Sequence, residues 1–144
     1  MTINQLSVFV ENKPGAMSAM TKVLADNGVD MRALSLAETK DFGIARIIVD
    51  SVYKATTVLK DAGYVHSLTP VLGVAIPDTP GGLSKVLEIL SGAGANVEYM
   101  YAFLGGKSAD HAYMIFRVEN AAAASNALIA AGIKTVSQDE IEKL

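Results

Sequence analysis

Two seven-residue stretches carry the side chains best placed to hold a small molecule. ENKPGAM, residues 11–17, and PDTPGGL, residues 77–83, stand 66 positions apart. In each, a polar residue (Asn12, Asp78) precedes Pro-Gly (Pro14-Gly15, Pro80-Gly81), and an apolar run opens just after it (Ala16-Met17, Gly82-Leu83). A helix beginning there presents unpaired N–H groups and a partial positive charge, which suit a carboxylate or phosphate. Glycine lets a bound group approach the backbone because no Cβ intervenes. A polar side chain beside the turn can then take an amine or amide. The plainer alternative needs no ligand. Proline, with its preset φ and no N–H, is a good helix start, and Asn12 or Asp78 would act as turn or capping residues.

These turns sit within a larger repeat. Gly28-Val29-Asp30 matches Gly94-Ala95-Asn96 at the same offset of 66. Val49, Leu59 and Gly63 match Val118, Leu128 and Gly132 at an offset of 69. The three-residue change falls in GGKSAD, residues 105–110, expected to be a loop that tolerates insertion. Each copy therefore carries a second polar residue, Asp30 or Asn96, at the start of its second strand.

The elements follow from periodicity. LSVFV (6–10) and VLGVAI (71–76) are short, apolar and rich in branched residues, hence strands. Met17, Met20, Val23 and Leu24 recur at helical spacing, as do Leu83, Val86, Ile89 and Leu90. Gly28 and Gly94 stop these helices. A second strand (31–37; 97–104) turns into a third, which alternates. Ala45, Ile47 and Val49 point one way, and Ile44, Arg46 and Ile48 the other. Met114, Phe116 and Val118 oppose Tyr113, Ile115 and Arg117 in the same manner.

A second helix carries Ala55, Val58, Leu59 and Ala62, matched by Ala124, Ala127, Leu128 and Ala131, and a last strand (64–68; 133–136) completes each unit. Ser137 and Glu140 have capping-box spacing for a short terminal helix. The fold class expected is α+β: two tandem ferredoxin-like βαββαβ sandwiches, residues 1–69 and 70–144, with antiparallel sheets and helices on one face. A unit of this size makes a marginal core, and its open sheet face carries Ile44, Ile48, Tyr113 and Ile115. The two copies are expected to pack together, and exposed edges call for pairing between chains, with a homodimer expected.

Taken together, N-x-P-G-x-M and D-x-P-G-G-L at the strand-to-helix turns, with G-V-D-M and G-A-N-V at the following helix-to-strand turns, resemble the ACT domain. The resemblance covers nearly the whole chain as two tandem copies. It implies a regulatory amino-acid sensor whose ligand lies between two units, the turn of one facing the second strand of its partner. Carried over, the binding residues are Asn12, Pro14, Gly15, Ala16 and Met17 with Asp30, and Asp78, Pro80, Gly81, Gly82 and Leu83 with Asn96. Pairing of the two copies would cross these sets, Asn12 with Asn96 and Asp78 with Asp30. The crossed Asn12/Asn96 site would be neutral and the Asp78/Asp30 site acidic, so the neutral site is expected to be the tighter for ordinary amino acids. No catalytic domain is expected, so the response would pass to a separate metabolic enzyme or to the oligomer. The alternative is a ligand-free interaction module.

Other signals point elsewhere. GGKS at 105–108 ends like a phosphate-binding loop, but that pattern needs Gly at 101, where Tyr101 stands. His66 and His111 lack partners at triad or metal spacing, and there is no Cys, so no catalytic residue, cofactor or metal site is expected. Tyr99, Tyr101 and Phe103 alternate like a base-stacking strand but lack basic surroundings. They are read as facing the core or a subunit partner. Net charge is −3; residues 70–144 carry 5 basic and 8 acidic groups, and the first half is neutral. Nucleic acid is not an expected partner. The start of the chain has no signal-peptide pattern, and no apolar run approaches the ~20 residues of a membrane span. A cytoplasmic protein is expected.

Overall fold

The computed structural model describes residues 1–104 and 111–144, so the expected GGKSAD loop lies outside the described residues. Contacts divide the chain into two units: Asn4–Thr69, and Pro70–Leu144 together with Met1–Ile3.

In the first unit, β1 (Ile3–Glu11) leads to α1 (Ala16–Asp26), β2 (Met31–Glu38), β3 (Phe42–Val49) and α2 (Val52–Asp61). β3 lies between β1 and β2, antiparallel to both, with Glu11 opposite Phe42 and Glu38 opposite Gly43. The chain leaving α2 runs along the other edge of β1, where the Phe9 N–H donates to the Val65 carbonyl at 2.9 Å. One face of this sheet receives the helices. Leu6, Val8, Val10, Ala45, Ile47 and Val49 from the strands bury with Met20 and Leu24 of α1 and Ala55 and Leu59 of α2. Each large side chain so buried stabilises the fold by about 1.5–3 kcal/mol.

The second unit repeats the plan with β4 (His66–Pro77), α3 (Gly82–Gly92), β5 (Val97–Ala102), β6 (His111–Val118), α4 (Ala121–Ala130), β7 (Lys134–Val136) and α5 (Gln138–Lys143). β6 pairs antiparallel with β4 and β5, and β7 with β4. Its core joins Leu72, Val74, Ile76, Phe116 and Val118 to Val86, Leu90, Ala124 and Leu128. The chain's first residues belong here. The Met1 amino group donates to Ser125 Oγ at 3.1 Å, and a Cβ on Gly73 would meet Ile3 Cδ1 at 3.3 Å. The terminal helix forms as its capping residues suggest, Ser137 Oγ accepting from the Glu140 N–H at 3.2 Å.

Two features differ from the sequence reading or sharpen it. The last strand of the first copy and the first strand of the second are one strand, His66–Pro77, running through Pro70. Proline favours an extended Thr69 before it, and its own fixed φ fits an extended chain. Ile48 and Ile115, which alternate with the core residues of β3 and β6, are fully buried.

Candidate functional site

The five helices of the described residues begin in two different ways. α2, α4 and α5 are capped by side chains: Ser51, Asn120 and Ser137 accept from the N–H groups of Lys54, Ala123 and Glu140. α1 and α3, the two that follow Pro-Gly, have no side-chain cap. Their cap positions are Gly15 and Gly81, at φ 84° and 85°, a left-handed conformation that favours glycine. Pro14 and Pro80 thus lie two residues ahead of the first helical residue. Asn12 does not cap α1; its amide donates across to the Thr39 carbonyl at 3.2 Å. The first N–H of each helix turns back on its own turn, Ala16 donating to the Lys13 carbonyl at 3.3 Å and Gly82 to the Thr79 carbonyl at 3.0 Å. The next N–H groups, of Met17 and Ser18 and of Leu83 and Ser84, are left for water or a ligand.

Around the first turn the structure brings Asn12, Gly15, Ala16 and Met17 together on a cavity of about 160 Å³. Glu11, Leu36, Glu38 and Gly43 complete its wall, and none of these was singled out by the sequence motif. They arrive through strand register: Glu11 faces Phe42 on β3, and Gly43 faces Glu38 on β2. Pro14 lines a larger hollow on the other flank of the turn. The local charge is mixed. Lys13 Nζ sits 2.9 Å from Glu11 Oε2, a hydrogen bond and charge that raise the lysine pKa above its usual value.

The second turn is tighter. A Cβ on Gly82 would lie 2.1 Å from the Pro77 carbonyl oxygen, although the equivalent Ala16 of the first turn carries one. Asp78, Pro80 and Gly81 are exposed there, and Leu83 is half-buried.

Asp30 and Asn96 stand one residue before β2 and β5. In each copy a bulge follows, between Met31 and Ala33 and between Val97 and Tyr99. The bulged residues turn to local partners, Arg32 to the Asp30 carboxylate and Glu98 to Arg117 Nε at 3.2 Å. Asp30 is therefore not a bare carboxylate. Asp30 N–H also donates to Asp50 Oδ1 at 3.0 Å, which fixes the entry to β2.

In the first unit Asp30 does not meet the turn. Asn12 lies at the Glu38 end of β2 and Asp30 at the Met31 end, and β2 has 8 residues. At ~3.3 Å per residue the strand separates them by roughly 23 Å. A ligand on the first turn is therefore out of reach of that unit's own Asp30.

Among the described residues, no cluster of three or more His, Cys, Asp or Glu could hold a metal. The tyrosines of β5 are partly or fully packed: Tyr99 and Tyr101 stack at 6.4 Å, and Tyr101 is buried. No helix of the described residues is long and apolar enough to cross a membrane.

Two consecutive βαββαβ units, each opening its first helix on a Pro-Gly turn without a side-chain cap, define a tandem ferredoxin-like protein. The chain belongs to the ACT domain pair family, whose model matches residues 1–144. Among solved structures it is similar to protein BT0572 from Bacteroides thetaiotaomicron, with 36% identity, 100% of this chain and 98% of that one covered, and a TM-score of 0.92. It shares its fold with the regulatory subunit of aspartate kinase from Thermus thermophilus in its ligand-free form (20% identity, 90% and 92% covered, TM-score 0.65). The corresponding subunit from Thermus flavus is comparable (18%, 90% and 92%, 0.62). Comparison with curated proteins gave no match.

Proposed function

We propose that this ACT domain pair is a regulatory sensor that binds an amino acid at the Pro-Gly turns and passes the signal to a separate enzyme or to its own assembly. The observation that carries this reading is the contrast in helix starts: three side-chain caps elsewhere, none at α1 or α3. In the proposed complex the ligand carboxylate takes the N–H groups of Met17 and Ser18, or of Leu83 and Ser84, one residue beyond those that bond back to the turn. Asn12 or Asp78 orients the ammonium end, and Asn96 or Asp30 of another unit closes the site. Binding then favours the arrangement of units that completes the site, which is how occupancy becomes a signal. Regulatory subunits of aspartate kinase with this fold support the regulatory part of the proposal.

The two sites are unequal in this proposal. Asn12 with Asn96 is neutral; Asp78 with Asp30 is acidic, though Arg32 offsets part of the Asp30 charge. The test is thermal unfolding against each common amino acid, for the wild type and for Asn96→Ala. At 100 times its dissociation constant a ligand stabilises the native state by ~2.7 kcal/mol. The proposal expects a shift for a few related amino acids, reduced in Asn96→Ala. If no amino acid shifts the transition, the ligand-free interaction module is the better account.

A further inference from the structure

The first unit has a second cavity, of about 560 Å³, on the opposite flank of its Pro-Gly turn from the Asn12 pocket. Its wall includes Phe9, Phe42, Tyr64 and Val65, and the turn beside them contributes both members of the Lys13–Glu11 ion pair. Three of these apolar side chains are largely in solvent: Phe9 is 45%, Phe42 55% and Val65 69% exposed. Three of the four aromatic residues between Asn4 and Thr69 line this one cavity.

The duplication supplies an internal control. Strand register pairs Glu11 with Phe42 in the first copy and Pro77 with His111 in the second. Likewise Phe9 bonds to Val65, and Ala75 pairs with Lys134. Phe9, Phe42, Tyr64 and Val65 therefore correspond to Ala75, His111, Ile133 and Lys134. The same backbone folds without the exposed aromatic groups, so folding does not demand them in the first copy. Apolar groups held in solvent around a hollow of ligand size mark a binding site.

We propose that this cavity is a second ligand site, taking a single aromatic ring that carries a carboxylate. The ring lies against Phe9 and Phe42 in offset or edge contact. The carboxylate takes Lys13, whose exposed pairing with Glu11 is easily exchanged. The cavity shares Lys13, Gly15 and Ala16 with the Asn12 cavity, but its aromatic wall, which the proposal rests on, uses neither Asn12 nor Asn96.

The test is calorimetry on the full chain with phenylacetate, and with phenethylamine as the cationic counterpart. Phe9→Ala and Val65→Ser probe the wall; Ala75 shows that the fold accepts alanine at the first position, and Val65 is exposed. Circular dichroism confirms that each variant folds. The expected result is phenylacetate binding, weakened about tenfold or more by each variant, which is ~1.4 kcal/mol. Asn12→Ala should leave it unchanged, which separates this site from the proposed amino-acid site. Three results would overturn the proposal: no phenylacetate binding, equal binding of phenethylamine, or binding indifferent to both variants. A fall in oligomeric mass on Phe9→Ala would overturn it too, by showing the hollow to be an interface between chains.

Discussion

The Asn12 amide is hydrogen-bonded to the Thr39 carbonyl at 3.2 Å, which ties the first Pro-Gly turn to the far end of β2. Asn12 therefore has a partner that is neither its own helix nor a neighbour in its turn. The bond is exposed, so a ligand could displace it at little cost. Asn12→Ala is expected to lower amino-acid affinity about tenfold or more while changing stability by no more than ~1 kcal/mol. Calorimetry alongside urea unfolding separates the two effects.

Removing a real cap gives the opposite pattern. Ser51→Ala and Asn120→Ala delete side chains that accept from Lys54 and Ala123 N–H groups. Each should destabilise the protein by ~1 kcal/mol and leave ligand affinity as it was. Denaturant midpoints and calorimetry on the same preparations check both halves of this expectation.

The two turn glycines differ in why they are needed. At Gly15 a Cβ would meet nothing within 4 Å, so only its φ of 84° opposes a side chain. Gly15→Ala should cost ~1–2 kcal/mol. At Gly82 the obstacle is a backbone oxygen, the Pro77 carbonyl. Gly82→Ala must move the turn, and a loss of ~1–3 kcal/mol together with weakened binding at the second site is expected. Thermal unfolding of the pair, compared with Ala16→Gly, shows whether the turns obey these separate constraints.

In the core, Leu59 and Leu128 occupy equivalent, fully buried positions on α2 and α4. Leu59→Ala and Leu128→Ala should each cost ~2–5 kcal/mol. Hydrogen exchange on the variants is expected to show lost protection chiefly in the unit that bears the change.

Much of the fold was legible because each helix and strand buries one face. Met20 and Leu24, and Ala45, Ile47 and Val49, all fall in the core where their periodicity put them. The continuous strand through Pro70 was not legible, since proline and a change of copy both read as a break. Nor was the attachment of Met1–Ile3 to the second unit, which depends on a space above Gly73 that no local pattern encodes. At the candidate site, the turn residues were found because glycine and proline act locally. Leu36, Glu38 and Gly43 were missed because they reach the turn only through antiparallel register. Arg32 was missed because a bulge, not the strand pattern, aims it at Asp30.

The most direct test of the central claim is amide nuclear magnetic resonance of the labelled chain during titration with the amino acid that gives the largest thermal shift. The account predicts that the amides of Met17 and Ser18, or of Leu83 and Ser84, move first and furthest, with Asn96 or Asp30 moving alongside. The capped start of α2 at Val52 and Tyr53 should stay still. Shifts centred away from both Pro-Gly turns, or equal shifts at the capped helix, would contradict it.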